Sequence, residues 1–444
     1  MAAPVDANAA QLVINNPQPR LPPEIFERII DHLDPWTEEE TLLNCALVCQ
    51  GWYTESRAVL FETPRLHTRK EAAACARSLT RIPLLGACVQ WLSIGSVSET
   101  TITTGPELGS ILVMLAGKLP KLASLAFTNV SFEQCSTRNL AFWSLSESSH
   151  LTSLELWNVT LPSASPFFQL ICSFPHLQHL KCRYLHWSER RSMAPLPEHH
   201  RMPLTTVTFL GYDMSCFEHI GHILLGLLDR AVLENVSLTP QVSAAALAFT
   251  QGMLNIAGRG LEIAEIEFNA PEEDADGDFQ SLLLHPVSFE ANVNLQKLIL
   301  GIDTSKMNVV ALFVQSVLLP LLNTVSSKHL NYIRFSVESH SKWETDALLN
   351  AFDPEVCIQI DELLAEGHFA ELRDLWIDFA GIVLNDSQRV NVCTEICARF
   401  PKLNDKNRLT IYHGGHRFPS DTEGALKGKQ LADKQPHPIE QTAA

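Results

Sequence analysis

Hydrophobic positions follow two different rhythms along the chain, and the change near residue 67 divides it. In the first stretch the spacing is helical. Ile25, Ile29 and Leu33 recur at i, i+4 and i+8, and Phe26 and Ile30 widen that apolar stripe. Pro22 and Pro23 can open such a helix, because proline is tolerated in a first turn, and Glu24 suits its positive end. Asp34-Pro35 stops it. Thr37 followed by Glu40 predicts a capping box for a second helix. Leu43, Ala46, Leu47 and Gln50 then lie on one face, and Cys45, Val48, Cys49 and Trp52 on another. A helix apolar on two faces must contact two things. Gly51 is expected to break it, leaving Trp52 to Phe61 as a third short helix. The segment is too short to bury this many apolar residues alone, which points to docking against another protein.

The second rhythm is a repeat. After a capping box at Thr68 and Glu71, which predicts a helix to Leu79, the pattern apolar-x-x-apolar-x-apolar recurs. It occurs at Val89-Leu92-Ile94, Leu122-Leu125-Phe127, Leu151-Leu154-Leu156, Leu177-Leu180-Cys182, Leu204-Val207-Phe209 and Leu233-Val236-Leu238. It continues at Ile263-Ile266-Phe268, Leu295-Leu298-Leu300, Leu330-Ile333-Phe335 and Leu372-Leu375-Ile377, with a frayed copy near Leu409-Ile411. The starts lie 26 to 42 residues apart. One short strand per unit at such a period predicts a solenoid, in which each unit buries little and stacking makes the core continuous. Helices are expected between strands at 109–119, 217–228, 242–256, 308–322 and 389–400. Leu119-Pro120-Lys121-Leu122, Phe174-Pro175-His176-Leu177 and Phe400-Pro401-Lys402-Leu403 mark where a helix ends and a strand begins. The fold class is therefore α/β, with parallel crossovers. An ordinary doubly wound sheet is the competing reading, and the even spacing disfavours it.

The order of residues in the front segment resembles the F-box, a motif of helices that docks the Skp-type adaptor of cullin–RING ubiquitin ligases. Leu21, Pro22, Glu24, Ile25, Ile29, Leu33, Leu47, Val48, Cys49, Trp52, Leu60 and Phe61 carry the likeness, most specifically over 46–52. The connection from Leu33 to Leu42 is longer than in many F-boxes. The resemblance implies a three-helix F-box over 21–66 that grips the adaptor through Leu21, Pro22, Ile25, Ile29, Leu33, Cys45, Val48, Cys49 and Trp52. The repeats over 67–418 resemble a degenerate leucine-rich-repeat domain, with a parallel sheet on the concave face and helices outside. Asn129 and Asn158 stand near the place where such repeats put an asparagine that satisfies loop backbone groups, one position early. Together the two resemble an F-box protein of fungal type. Residues 1–20 and 419–444 lack apolar periodicity and are expected to be disordered.

Composition narrows the partners. A formal net charge of −17 argues against nucleic acid or an anionic membrane, since phosphate binding needs clustered Lys and Arg. There is no apolar run of ~18 residues to cross a membrane, and no secretory start. The 11 cysteines are odd in number, lack a CxxC pair and fall inside apolar patterns, so they read as buried free thiols in a reducing compartment. The sequons at Asn129, Asn158 and Asn235 are then incidental. A cytoplasmic or nuclear location follows.

The search for chemistry mostly comes back empty: no nucleotide loop, no nucleophile elbow and no HExxH. Glu272 to Asp278 starts like a calcium loop, but Leu283 stands where the bidentate Glu is needed, so it reads as an acidic loop. His413 and His416 flank two glycines without further ligands nearby, and His199-His200 sits in a Pro-rich loop. No catalytic residue, metal or cofactor is expected.

Alternation along each strand leaves residues flanking the last core position on the open surface, among them Glu155/Trp157, Lys181/Arg183, Glu267/Asn269, Arg334/Ser336 and Trp376/Asp378. Glu155, Trp157, Lys181, Arg183, Trp376 and Asp378 are the candidate contacts for a client protein, because aromatic and Arg side chains dominate binding hot spots. The expected function is a non-catalytic substrate receptor that bridges a client of unknown identity to the adaptor and, through it, to cullin and RING subunits. The alternative is a repeat scaffold without a ligase role.

Overall fold

The computed structural model describes residues 22–35, 37–96, 102–133, 150–187, 201–211, 214–228, 232–270, 283, 286–339, 343–413 and 416–418. Leu21, His199-His200, the acidic segment 272–278 and both ends expected to be disordered lie outside them.

Three helices form the front: α1 (Pro23–Asp31), α2 (Glu39–Ala46) and α3 (Gln50–Glu62). α3 packs against both of the others. Their shared core is small: Phe26, Ile30, Leu42 and Val59, with Leu33, Trp52 and Leu60 at its edge. Two expectations fail here. The capping box at Thr37 does not form. Its hydroxyl donates to the Asp34 carboxylate at 3.1 Å instead, and α2 starts at Glu39 without a side-chain cap. Nor does Gly51 break a helix. The chain turns at Leu47 and Val48 and is extended at Cys49, while Gly51 lies in the first turn of α3. A Cβ on Gly51 would stand 3.2 Å from Phe26 Cζ, so its role is to let the ring approach.

The front runs directly into a fourteen-stranded sheet among the described residues. Its strands are β1 (Arg65–Leu66), β2 (Trp91–Gly95), β3 (Thr103–Thr104), β4 (Ser124–Ser131), β5 (Ser153–Leu161), β6 (His179–Trp187) and β7 (Thr206–Leu210). β8 (Asn235–Leu238), β9 (Ile263–Asn269), β10 (Lys297–Asp303), β11 (Tyr332–Glu338), β12 (Asp374–Ala380), β13 (Leu409–His413) and β14 (His416–Phe418) complete it. Apart from β3, which pairs beside β4, the strands follow in chain order, all parallel until β14 turns back antiparallel on β13. Sequential parallel neighbours over this length form the repeat solenoid that the period implied, an α/β architecture resembling leucine-rich repeats. β1 already belongs to the sheet, so the front module ends before residue 65 and not at 66. Gln90 N–H donates to Glu62 O at 3.0 Å and Ser93 N–H to Pro64 O at 3.1 Å, which ties the end of α3 to the first repeat.

The inward residues of the units are almost all fully buried, as their spacing predicts. One unit was misread. Ile263 is half-exposed, whereas Leu261, Ala264 and Ile266 are buried, and Ala264 pairs in register with Val236 and Leu298. The small Ala264 thins the apolar signal at its true position and shifts the apparent unit by two residues. Helices pack on the buried face: α4 (Arg69–Arg81), then Gly105–Leu115, Ala164–Cys172, Met214–Leu227, Ala244–Ala257, Pro354–Ala365 and Asp386–Arg399, with Met307–Leu312 continuing through a π-turn to Asn323. At α4 the Thr68 hydroxyl accepts from Glu71 N–H, while the Glu71 carboxylate takes the His67 N–H and not that of residue 68. Leu122 N–H to Leu119 O and Leu177 N–H to Phe174 O close the predicted turns. At Phe400 the proline instead opens the short helix Pro401–Asp405. The buried Asp361 carboxylate accepts from Lys402 N–H at 2.8 Å and Leu403 N–H at 2.9 Å, which satisfies that helix start.

Asn129, Asn158 and Tyr184 all adopt positive φ near +50° at matching positions of β4, β5 and β6. Asn158 Nδ2 donates to Asn129 Oδ1 at 2.7 Å, and Asn129 Nδ2 donates to Ser96 O at 2.9 Å. The two asparagines therefore do satisfy neighbouring polar groups, as a ladder across successive repeats. Asparagine tolerates this backbone region better than most residues, which suits it to the bend.

Candidate functional site

Two surfaces carry the sequence-derived candidates. The first is the outer side of the front module. Phe26 and Ile30 face inward, and Ile25 and Ile29, one position earlier on the wheel, face out with 42% and 49% exposure. Val48 is 61% exposed in the turn after α2. Pro22 and Cys49 are exposed as well. The apolar stripe of α1 is thus split between a module core and a naked side. Leu33 and Trp52 belong to the inner side: both pack on the core, Trp52 with its ring 5.7 Å from Phe26. Cys45 is half-buried. Leu47, at 85%, and Leu43 add to the exposed set. Sequence reasoning placed Leu47 in the family pattern but not in the docking face, because an unbroken second helix was expected. On α3, Glu55 is held above the ordinary carboxyl range by partial burial and then by Asp31 and Glu27 of α1.

The second surface is the sheet face turned away from the helices. Parallel register aligns its side chains in rows. Glu155 stands beside Lys181, and Trp157 beside Arg183. Lys181 Nζ meets Glu155 Oε1 at 3.0 Å, and the Arg183 guanidinium lies 5.2 Å from the centre of the Trp157 ring. These four candidates form one patch. Trp376 and Asp378 belong to another, about six strands away. Trp376 lies between Tyr332 and Tyr412, at 5.0 and 4.5 Å between ring centres, and the Arg334 guanidinium is ion-paired with the Asp378 carboxylate. Burial pushes the Tyr332 phenol up to about 12, against the opposing pull of Arg334. Tyr332 and Tyr412 were not among the candidates: Tyr332 lies outside the pair flanking Phe335, and Tyr412 flanks Ile411 in the frayed last copy. The shift at Ile263 also corrects the open-face pair there: Glu265 and Glu267 occupy the rows of Lys181 and Arg183.

Of the chemistry candidates, His413 and the described cysteines can be placed. His413 is buried with Nε2 2.6 Å from Ile382 O, and burial lowers its pKa. The described cysteines are free. Burial pushes the Cys172 thiol up to about 11 and those of Cys357 and Cys393 up to about 12, which suppresses the nucleophilic thiolate. Cys49 departs from the buried pattern, since it is exposed. Among the described residues no group of three or more His, Cys, Asp or Glu side chains is placed to hold a metal ion, and no helix is long and apolar enough to cross a membrane.

A helical module with an exposed apolar side thus leads into a stacked parallel sheet. Residues 18–62 match the F-box-like family model, so the front of the chain is an F-box-like domain. Among solved structures the chain is similar to a leucine-rich-repeat protein of Leptospira interrogans, at 12% identity, with 73% of this chain and 97% of that one covered and a TM-score of 0.23. That likeness is too loose to add to what the sheet itself shows. No curated protein matches.

Proposed function

We propose that this chain is the substrate-recognition subunit of a cullin–RING ubiquitin ligase. Its F-box-like domain holds a Skp-type adaptor, and through it the cullin and RING subunits, while the repeat sheet holds a client. The observation that carries the reading is the naked apolar side of α1 and of the α2–α3 turn, next to a module core too small to use it. Covering Ile25, Ile29 and Val48 is worth ~1 kcal/mol each from the exposed fraction, before association costs. The contribution to ubiquitin transfer is proximity: client lysines are held near the transferring enzyme, and no side chain here breaks or makes a bond. The cytosol or the nucleus is the compartment in which such a ligase and these free thiols work. The fungal affiliation rests on the sequence resemblance.

The test is co-purification from cells. The intact chain should bring down adaptor and cullin together, and deletion of residues 21–61 should abolish both while clients accumulate on the remaining repeats. Adaptor without cullin would favour a repeat scaffold outside any ligase. Neither partner from the intact chain would end the proposal.

A further inference from the structure

Charge is spread unevenly over the sheet. The chain holds 50 acidic residues, yet β4, β6, β7 and β8 contain none and β5 contains only Glu155. That one carboxylate is already taken by Lys181. Arg183 stands in the same stretch with its guanidinium over the Trp157 ring, and among the described residues it makes no ion pair. We propose that the open face over β5–β7 docks an acidic segment of the client, with a carboxylate seated on Arg183 and Lys181 and adjoining apolar side chains against Trp157 and Leu210. This rests on the receptor reading above and supplies the chemistry of the client that it leaves open.

Register builds the seat. Trp157, Arg183 and Leu210 stand side by side on β5, β6 and β7, with Glu155, Lys181 and Thr208 in the neighbouring row. All six are at least partly open to solvent. Arg183 is therefore flanked by an apolar group on each side. A guanidinium is weakly hydrated, and stacking on an indole fixes its plane, so its fork of donors is held ready for a carboxylate at little cost in ordering. The apolar flanks also keep water from weakening the pair once it forms. Tyr184 bounds the site. It takes a φ of 53°, and its ring lies over Gly211, the residue after Leu210, in the space that a Cβ would fill. Trp, Tyr and Arg are the side chains that dominate protein contacts. A basic segment meets repulsion from Lys181 and Arg183. Two cations are too few for a nucleic acid, which needs many phosphate contacts to approach a chain of net charge −17.

The net charge sharpens the test. Diffuse electrostatics repels an acidic peptide from a chain of −17, so any binding has to be local. The full chain is titrated, with anisotropy as the readout, against a fluorescein-labelled peptide of repeating glutamate, leucine and serine. A peptide with lysine in place of glutamate and a short oligothymidylate are the counterparts. The glutamate peptide should bind, and the other two more weakly by about tenfold or more. Lys181→Gln with Arg183→Gln should weaken glutamate-peptide binding by about tenfold or more, as expected when close charge pairs are lost. Arg77→Gln with Arg81→Gln, an equal change of charge at exposed positions of α4, should change it by less than about twofold. Glu155→Gln frees Lys181 and should tighten binding by about threefold, a gain that misfolding cannot produce. No binding of the glutamate peptide, equal losses from the two cation pairs, no gain from Glu155→Gln, or a preference for the lysine peptide or the oligonucleotide each overturns the proposal. Unchanged circular dichroism confirms folding of the variants. Adaptor binding is measured on the same samples: its absence in the wild type would sink the receptor reading while leaving the peptide result standing.

Discussion

Ile29 and Ile30 are neighbours in sequence and opposites in the fold, and serine at each position should have opposite consequences. Ile29 is 49% exposed on α1, Val48 is 61% exposed beyond α2, and Ile30 is fully buried among Phe26, Leu42 and Val59. Full burial of such a side chain is worth ~1.5–3 kcal/mol, so the exposed part of each leaves roughly 1 kcal/mol for a partner to collect. A serine hydroxyl trapped unpaired in the contact adds about 1 kcal/mol more. Ile29→Ser with Val48→Ser should therefore cost about 4 kcal/mol of adaptor affinity, on the order of a thousandfold in Kd. The same pair should alter folding by no more than about 1 kcal/mol, since neither contacts the module core. Ile30→Ala should instead cost ~2–5 kcal/mol of stability and lose adaptor affinity only through unfolding.

The assay pairs calorimetric titration with a purified Skp-type adaptor with hydrogen exchange over residues 22–62. Loss of binding with unchanged exchange in the Ile29/Val48 variant, and fast exchange in Ile30→Ala, is the expected pattern. Wild-type affinity in the double variant would place the adaptor elsewhere. Fast exchange in that variant would mean these side chains belong to the core after all, and the reasoning from exposure would fail. Trp52→Ala is the less informative change, since its ring packs on Phe26 and its loss perturbs both quantities.

Three further outcomes follow from the repeats. Asn129→Ala removes a hydrogen bond to Ser96 O and one with Asn158, and leaves a Cβ residue at positive φ; urea unfolding should show a loss of about 2–3 kcal/mol, and Asn129→Gly should recover the backbone part. Asp361→Ala strands two backbone N–H groups at the start of the Pro401–Asp405 helix and should cost about 3 kcal/mol by the same measurement, with Asp361→Asn recovering part of it. Burial first, and then the neighbouring carboxyl groups of Glu338, Asp303 and Glu265, raise the folded pKa of Glu267, so its proton contributes stability that is complete below the ordinary carboxyl range and is lost as pH rises through the raised value; Glu267→Gln should flatten that decline in pH-dependent unfolding, and an unchanged slope would refute the buried-carboxyl account.

The solenoid was legible because its signal repeats. A single apolar-x-x-apolar-x-apolar match says little, but its recurrence at similar spacing along the chain fixes which side of each strand is buried. The one slip, at Ile263, came where Ala264 fills a core position with too little apolar surface to register. Local signals that depend on a competing partner were harder to read. Thr37 looked like a cap, but Asp34, three residues back, takes its hydroxyl. Gly51 looked like a breaker, and only the Phe26 ring beside it explains the glycine. On the front module, the sequence picked out the apolar residues without dividing them into buried and exposed, since a stripe that serves a core and a stripe left outside have the same periodicity. Burial separates Leu33 and Trp52 from Ile25, Ile29 and Val48. On the sheet, alternation identified the open positions, but the ring cluster of Tyr332, Trp376 and Tyr412 joins residues eighty positions apart and needs the register of three strands to be seen.

The junction between the two surfaces bears on how the parts act together. A receptor that works by proximity gains most when the distance from adaptor to client is fixed, because a loose tether spreads the client over a larger volume and lowers its effective concentration. Here α3 ends at Glu62 and β1 begins at Arg65, which leaves only Thr63 and Pro64 between them. Their backbone is engaged on both sides, through Glu62 O to Gln90 and Pro64 O to Ser93, and β1 is itself a strand of the sheet. The module therefore has no free linker along which to swing. Whatever α1 and the α2–α3 turn grip is carried at a set position relative to β2, and through the unbroken parallel register to Trp157, Glu267 and Trp376 in turn. In the proposed receptor the sheet would act as a ruler between the two contacts, and the choice of strands on which a client sat would determine which of its lysines could be reached.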